Sequence, residues 1–359
     1  MRAVVMRGSS LTVDTLPDPE PGPGEALVRT VACGICGSDL HAAQHGADLV
    51  ASMRDMGARN VMDLSRDVVM GHEFAGEVVD YGRGTERRLA AGTPVCGVPL
   101  LPRSDGILSV GFSNDVPGGY GELMVLGSDL LLPIPNGFPT ELAALTEPMA
   151  VGLHAVGLGD LEPRDVPLVI GCGPVGLAVI AALKLRGASP IVAADFSAVR
   201  RAQAAAAGAD VVVDPASTSP YTSWEEAAVA GSDAEAAVQN LLAPTEKPLR
   251  PAVVFECVGV PGVIDQIVRG APSYARIVVV GVCMEQDAFR PVFALGKELT
   301  LRFAFYYSVE EYAETLAALA DGRIDVAPFV TGRIGLADVP GAFEELANPE
   351  HHVKILVKP

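Results

Sequence analysis

The chain has 359 residues, of which 49% are hydrophobic and 19% are charged. This length suits two hydrophobic cores, and the composition is that of a folded globular protein. Acidic residues outnumber basic ones by 44 to 26, which gives a formal net charge of −18, so nucleic acid and anionic membranes are excluded as partners. The sequence contains neither a secretory signal nor an apolar run of about 18 residues. Its six cysteines do not suggest a disulfide framework, so we expect a cytoplasmic protein with reduced thiols.

The first 150 residues contain short β-branched runs between Gly and Pro. Strands are predicted at residues 2–6, 25–31, 73–81, 93–98 and 121–126. Such short strands, broken by turn residues, are typical of an irregular β-barrel or sandwich. A Met-rich stretch at residues 47–69 interrupts the pattern and predicts a short helix within an insertion. A long insertion beside a site is often a lid; the alternative is a surface excursion.

From about residue 151, apolar strands alternate with Ala-rich helices. Strands are predicted at 167–171, 190–195, 210–214, 252–258, 276–282 and 299–303, and helices at 174–186, 198–207 and 308–320, with a crossover helix between 215 and 251. Alternation of this kind predicts a parallel sheet with helices on both faces.

A glycine-rich turn follows the first of these strands. Gly171, Gly173 and Gly176 form a G-x-G-x-x-G that also contains Pro174 and Val175. Between a strand and a helix, such glycines allow a tight turn, the approach of a pyrophosphate and close helix packing. The helix N-terminus then offers unpaired N–H groups to the phosphates. A purely structural glycine turn is the alternative.

An acidic residue ends the next predicted strand. Asp195 stands 19 positions after Gly176, which is the spacing of the carboxylate that binds the adenosine ribose in dinucleotide-binding proteins. Its charge would repel a 2′-phosphate, so we predict NAD as the cofactor. Arg200 and Arg201 lie nearby and leave NADP as the weaker alternative.

Metal-binding residue types occur in three further segments. These segments are Gly34-Ile-Cys-Gly-Ser-Asp-Leu-His41, Gly71-His-Glu-Phe-Ala-Gly76 and Thr146-Glu-Pro-Met-Ala-Val-Gly-Leu-His154. Zn²⁺ accepts thiolate, imidazole and carboxylate ligands together, and a catalytic zinc keeps one position open for substrate.

With the glycine-rich turn, these segments resemble the zinc-dependent alcohol dehydrogenases of the medium-chain dehydrogenase/reductase superfamily, over essentially the whole chain. The Glu-Pro segment is similar to the sorbitol and polyol dehydrogenase branch. The resemblance implies an α/β protein with a GroES-like β-rich catalytic domain at 1–150 and 304–359, and a Rossmann domain with a doubly wound parallel sheet at 151–303. It also implies one catalytic Zn²⁺ per chain and hydride transfer between NAD(H) and an alcohol/carbonyl pair.

The same resemblance assigns the metal ligands. Cys36 is the thiolate ligand and His72 the imidazole ligand, whereas a buried thiol and a core histidine are the alternative. Glu147 takes the remaining position directly or through a water, or only supports the other ligands. Glu73 lies close to the metal and binds it in some states.

Residues around the ligands also match the family. Asp39 would orient His72, while Ser38 and His41 match the proton relay from the bound alcohol to solvent; a plain surface histidine is the alternative for His41. For the cofactor, the matching residues are Arg200, Val258, Val280, Gly281 and Val282. The thiols that remain unassigned, Cys33, Cys172, Cys257 and Cys283, are interpreted as small core residues.

The sequence departs from the family in three places. The lobe that usually binds a structural zinc with four cysteines contains only Cys96, so we predict that this second zinc is absent. The insertion separates Cys36 from His72 more widely than in most members. Aromatic residues at 303–308 replace the polyol-binding Arg of the sorbitol branch and, with Met53, Met56 and Met62, they predict an apolar substrate pocket.

The predicted activity is therefore oxidation of an apolar or aromatic secondary alcohol, with a polyol dehydrogenase as the alternative. A zinc-free quinone or enoyl reductase would lack the Cys, His and Glu set, and a non-catalytic NAD-binding protein would have no need of it. The apolar segment 276–282 matches the region through which family members associate, so we expect a homodimer or homotetramer.

Overall fold

The computed structural model describes residues 1–104, 106–229, 249–346, 348, 350 and 352–359. Its strands are β1 (Arg2–Arg7), β2 (Ser10–Thr15), β3 (Glu25–Gly34), β4 (Glu73–Tyr81), β5 (Pro94–Gly97), β6 (Leu100–Arg103), β7 (Gly106–Ser109), β8 (Leu123–Gly127), β9 (Leu131–Pro133), β10 (Val166–Ile170), β11 (Val192–Ala194), β12 (Val211–Val213), β13 (Ala252–Glu256), β14 (Arg276–Val279), β15 (Thr300–Phe303), β16 (Val330–Ile334) and β17 (Lys354–Val357). Its α-helices are α1 (Gly37–Asp55), α2 (Thr140–Ala143), α3 (Thr146–Leu158), α4 (Pro174–Leu185), α5 (Ala198–Ala207), α6 (Pro220–Ala228), α7 (Val263–Gly270), α8 (Pro291–Gly296), α9 (Val309–Ala320) and α10 (Val339–Leu346). No helix in these ranges is long and apolar enough to cross a membrane.

The first compact unit comprises Met1–Glu147 and Tyr312–Pro359. Its main sheet has the strand order β16-β17-β3-β4-β5-β9, and β8 also pairs with β3. The long strand β3 runs antiparallel to β4, with Gly34 opposite Glu73. This register brings the segment that follows β3, which begins the Cys36 motif, beside the start of β4, where the His72 motif lies. The sheet thereby joins two motifs that are far apart in the sequence.

The structure corrects the prediction for the insertion. The short helix expected within residues 47–69 is the second half of α1, which begins at Gly37 because Asp39 caps its first turn through the backbone N–H of Cys36. The helix bends at His45, whose backbone is not helical. Met62 is buried in the hydrophobic core of this unit, so the insertion is in part a core element.

The second compact unit, Pro148–Glu311, contains a parallel sheet of six strands in the order β12-β11-β10-β13-β14-β15. This is the order of a doubly wound dinucleotide-binding fold, and the predicted α/β class is confirmed. Trp224 of α6 is buried beneath the sheet and donates a hydrogen bond to the carbonyl of Val166. The rest of the predicted 215–251 crossover falls largely on residues 230–248, outside the described ranges.

Two boundaries differ from those expected. The division between the units falls after Glu147 and after Glu311, whereas the sequence suggested residues 150 and 303. The strand predicted at 276–282 and expected to take part in association is β14, which lies between β13 and β15 and so has no open edge. Among the described strands, β15 is the one at that edge.

Candidate active site

The glycine-rich turn connects β10 to α4 in the conformation that its sequence requires. Gly171 has a φ of +92°, and a Cβ there would lie 2.7 Å from Val258 Cγ2. A Cβ on Gly176 would lie 1.9 Å from the carbonyl oxygen of Gly171, so no other residue fits at this position. Gly173 caps α4, and Pro174 is its first residue. Val175 follows within the first turn, so the first N–H groups of α4 border this turn, as a phosphate site requires.

Asp195 follows β11 beside this turn. One carboxylate oxygen accepts the backbone N–H of Cys172 at 2.7 Å and the other accepts that of Ser197 at 2.8 Å. These two bonds fix the carboxylate next to the glycine turn.

The two neighbouring arginines differ in their contacts. The Arg200 guanidinium carbon lies 3.8 Å from the Cβ position of Gly173, and its Nε is buried without a hydrogen-bond partner. Arg201 instead donates to the carbonyls of Asp195 and Phe196 and pairs with Asp214 at 3.2 Å. Of these two arginines, Arg200 is therefore the one with an unpaired Nε beside the dinucleotide turn.

The loops after β13 and β14 interlock in the same unit. The buried Glu256 carboxylate accepts the N–H groups of Val258 and Gly259 at 2.7 and 2.8 Å. The Glu256 carbonyl accepts those of Val280 and Gly281, at 2.8 and 3.0 Å. One glutamate therefore holds three of the residues predicted to bind the cofactor, Val258, Val280 and Gly281. The sequence analysis did not identify this glutamate. Val282 continues this loop and is half exposed.

A cluster of metal-binding side chains forms in the first unit. One potential ligand atom from each of Cys36, His72 and Glu73 lies within 4.8 Å of the other two, and among the described residues this is the one such group of three or more. Cys36 caps α1, and Glu73 begins β4. Glu147 lies in the first turn of α3 and is buried, but it is not a member of this cluster.

Asp39 and Tyr120 lie behind the cluster. Asp39 is fully buried, and one of its oxygens is 3.3 Å from His72 Nδ1. The other oxygen accepts the Tyr120 hydroxyl at 2.7 Å and the Cys36 N–H at 3.0 Å. Burial by itself raises the pKa of Asp39, but the facing His72 and these donors lower that pKa below its ordinary value. The sequence predicted that Asp39 would orient His72, but it gave no indication of the contact between Tyr120 and Asp39.

Glu73 is paired with a lysine that was also missed. Lys354 Nζ donates to both Glu73 oxygens, at 2.7 and 2.8 Å, and to the Ile35 carbonyl at 3.0 Å. Both charged side chains are almost completely inaccessible to solvent. Burial by itself lowers the pKa of Lys354, but the charges of Glu73, Cys36 and Glu147 and the hydrogen bonds to Glu73 together outweigh burial and raise that pKa. All three ammonium protons of Lys354 are therefore used.

Comparison with known proteins gives a consistent result. Residues 22–136 match the alcohol dehydrogenase GroES-like domain, and residues 174–321 match the zinc-binding dehydrogenase family. The (R,R)-butanediol dehydrogenase of Bacillus subtilis (strain 168) is 30% identical over 97% of this chain and 96% of its own length. The chain belongs to the zinc-binding dehydrogenases.

A further relative and a solved structure support this membership. Sorbitol dehydrogenase of Bos taurus is 30% identical over 95% of this chain and 91% of its own length. The crystal structure of 2R,3R-butanediol dehydrogenase from Bacillus subtilis has a TM-score of 0.78 at 28% identity, over 100% of this chain and 99% of that one. The predicted family, its polyol dehydrogenase-like branch and the enzyme class are thereby confirmed: this protein is an oxidoreductase that acts on alcohols or polyols with zinc and NAD.

The donor set of this dehydrogenase fits zinc. Thiolate, imidazole and carboxylate are the ligands that Zn²⁺ combines, at about 2.0–2.3 Å from the ion. The three donors within 4.8 Å of one another therefore need only small shifts to surround one ion. Since His72 Nδ1 faces Asp39, Nε2 is the nitrogen left for a metal.

The residues predicted for the proton relay lie on α1. The Ser38 hydroxyl is 3.4 Å from His72 Nε2. One turn further along, His41 is half-buried, and its ring centroid lies 6.3 Å from that of His45. Burial and the neighbouring His45 lower the pKa of His41, so its ring is neutral down to a lower pH than that of an ordinary histidine.

The predicted apolar residues are distributed differently from expectation. Met62 belongs to the core and Met56 is 77% exposed, so the methionines of the insertion do not form one surface. Phe303 and Phe305 are exposed in the second unit. In the first unit, the ring of Phe112 lies against a member of the metal-binding cluster, with its centroid 5.1 Å from that of His72. The sequence analysis did not identify it.

Proposed function

We propose that this dehydrogenase interconverts a small or medium-sized apolar or aromatic secondary alcohol and its ketone, with one zinc per chain bound by Cys36, His72 and a carboxylate. The observation that supports this proposal most directly is the partly buried ring of Phe112 against His72. An apolar ring at the metal-binding cluster favours a hydrocarbon group beside the reacting oxygen and offers no partner to further hydroxyls.

Each residue has a separate role in the proposed reaction. Bound zinc would lower the pKa of the substrate hydroxyl and stabilise its anion. Ser38, within reach of His72, would take the hydroxyl proton while passing its own proton, by way of the cofactor ribose, to His41, which would release a proton to solvent. Asp195 and Arg200 would hold the adenosine end of NAD, and the loops fixed by Glu256 would hold the nicotinamide end.

Two carboxylates compete for the third ligand position. Glu73 lies within the cluster, although both of its oxygens accept hydrogen bonds from Lys354. Glu147 is the ligand that the family resemblance suggests. We propose Glu147 for the substrate-bound state, because the ion pair with Lys354 already balances the charge of Glu73. Replacement of each glutamate by glutamine, followed by zinc analysis, distinguishes the two assignments.

A panel of alcohols tests the substrate class. We expect 1-phenylethanol or 2-octanol to give the highest kcat/KM, measured by NADH formation, and sorbitol and xylitol to react at least tenfold more slowly. In the Phe112→Ala variant, the kcat/KM for 1-phenylethanol should fall roughly 10-fold or more, because burying such a ring is worth about 1–3 kcal/mol. Sorbitol oxidised faster than every apolar alcohol would show that the apolar assignment is wrong.

A polyol dehydrogenase is the second candidate function. It is favoured by the names of two similar proteins, which are a butanediol and a sorbitol dehydrogenase. Both of those substrates carry neighbouring hydroxyl groups. The stereoisomers of 2,3-butanediol, compared with 2-butanol, would show whether a second hydroxyl contributes to binding.

We predict that Asp195 selects NAD over NADP. In Asp195→Gly, kcat/KM for NAD should fall roughly 10- to 100-fold, because a hydrogen bond to a charged group contributes about 1.5–3 kcal/mol. The kcat/KM for NADP should fall less, so the preference for NAD over NADP becomes smaller. Asp214→Asn, which alters the carboxylate after the neighbouring strand β12, is the matched control and should leave the preference unchanged. An unaltered NAD/NADP ratio in Asp195→Gly would refute this role.

We propose that the protein is a homodimer or homotetramer that associates through β15 and α8. Val292 and Leu295 of α8 are 68% and 79% exposed, and β15 is an edge strand of the described sheet. Exposed apolar side chains beside an open edge favour association. Sedimentation should show at least a dimer at micromolar concentration, and Leu295→Lys should shift it toward monomer. A monomeric wild type would contradict the proposal.

We also propose a reducing compartment such as the cytoplasm. None of the six cysteines is in a disulfide, and Cys33, Cys96, Cys172 and Cys257 are buried. Zinc binding requires Cys36 as a thiolate, which a reducing compartment preserves.

A further inference from the structure

Tyr120 is placed behind the metal-binding cluster by backbone hydrogen bonds. The N–H groups of Gly118, Gly119 and Tyr120 donate to the carbonyls of Val69, Gly71 and Met70, at 2.8, 2.7 and 3.0 Å. A Cβ on Gly71 would lie 2.8 Å from Tyr120 Cδ1, so the tyrosine ring packs directly on the residue before His72. The position of the ring is therefore fixed by the same strand-like segment that presents His72.

The Tyr120 hydroxyl completes the contacts of Asp39. One Asp39 oxygen faces His72 Nδ1 at 3.3 Å, while the other accepts the Tyr120 hydroxyl at 2.7 Å and the Cys36 N–H at 3.0 Å. Tyr120 and Asp39 are both inaccessible to solvent, so water does not compete for these bonds. A buried carboxylate with fewer donors is less stable as an anion and less fixed in orientation.

We propose that Tyr120 is a positioning residue for zinc binding, acting through Asp39 on His72. Its hydroxyl holds Asp39 in the orientation that keeps one carboxylate oxygen facing His72 Nδ1 at 3.3 Å, so that His72 Nε2 is presented to the metal. The same oxygen of Asp39 accepts the Cys36 N–H, so Tyr120 also stabilises the turn that carries the thiol ligand. This inference rests on the proposed zinc site and adds a residue that does not itself touch the metal.

The test is the rate at which zinc leaves the holoenzyme to an excess of the chromogenic chelator 4-(2-pyridylazo)resorcinol. Tyr120→Phe removes one oxygen and keeps the ring, and we expect about 10-fold faster release, since partners that orient metal ligands typically change affinity by about 10- to 100-fold. Tyr81→Phe is the matched control, because its hydroxyl donates to the Leu89 carbonyl and not to Asp39. In the cobalt-substituted enzyme, Tyr120→Phe should also alter the visible absorption bands, whereas Tyr81→Phe should not.

A double-mutant cycle separates positioning from a general effect on folding. Asp39→Asn should also accelerate zinc release, and adding Tyr120→Phe to that variant should change the rate by less than about twofold, because the path through Asp39 is already broken. An equal acceleration in both backgrounds would overturn the proposal, as would release from Tyr120→Phe at the wild-type rate. The same chelator assay reports the zinc content of the wild-type protein. Wild-type protein that releases no zinc would refute the proposed metal site itself.

Discussion

Cys36→Ser and His72→Ala should each abolish zinc retention and lower alcohol turnover at least about 1,000-fold, while NADH binding stays within about threefold of wild type. The loss in turnover follows because a catalytic metal contributes several kcal/mol to the transition state, and each 1.36 kcal/mol is a tenfold change in rate. Cofactor binding should persist, because the glycine turn and Asp195 belong to the second compact unit whereas Cys36 and His72 belong to the first.

The protein provides its own reporter for this experiment. Trp224 is the single tryptophan of the chain and is buried in the second unit, so energy transfer from Trp224 to NADH measures cofactor binding directly. Metal analysis should give about one zinc per chain for wild type and almost none for the two variants. Cys33→Ser, which changes a buried thiol in the same segment, is the control and should retain zinc. Loss of NADH binding in both variants, with the fold intact, would contradict the separation of the two sites.

The dinucleotide site could be predicted from sequence because its determinants are local. Gly171, Gly173 and Gly176 act within one turn, and the positive φ of Gly171 and the close contact at Gly176 exclude larger residues. The helix predicted at 198–207 matches α5 at both ends, because Ser197 caps it and Gly208 ends it in the left-handed conformation. Short-range rules of capping and turn geometry were sufficient for these elements.

The support of the metal-binding cluster could not be predicted in the same way. Tyr120 is 81 residues from Asp39 in sequence, and Lys354 is 281 residues from Glu73. These contacts exist because the segment before β8 pairs with the one before β4, and because β17 pairs with β3. No local pattern marks a tyrosine or lysine that tertiary structure will bury against a carboxylate.

The start of α1 shows a different limit. Gly37 and Ser38 are turn formers, and the sequence analysis predicted no helix at Ser38 and His41. Instead, the Asp39 carboxylate accepts the Cys36 N–H and caps the helix. The helix α1 therefore begins before the insertion, and the relay residues Ser38 and His41 lie one turn apart. A capping interaction outweighed the intrinsic preference of two residues.

Lys354→Met should lower the free energy of unfolding by about 3–5 kcal/mol, because it leaves the buried Glu73 carboxylate without its cation. Lys358→Met is the matched control on the same stretch of chain: its ammonium pairs with Glu141 at 3.0 Å, but that pair is partly exposed, and its loss should cost less than about 1 kcal/mol. Urea titration followed by far-UV circular dichroism measures both variants. Trp224 fluorescence should change little at the same urea concentrations, because Trp224 lies in the other unit.

The double variant Glu73→Gln/Lys354→Met determines whether charge or packing is responsible. Removing both charges leaves no unpaired ion, so the double variant should recover at least half of the stability that Lys354→Met loses. The sign of the pKa shift gives a further expectation: because the pKa of Lys354 is raised above 10.5, the stabilisation by the pair is complete at neutral pH and is lost only as pH rises through that raised value. Equal destabilisation by Lys354→Met and Lys358→Met would mean that the buried pair contributes no more than a surface one.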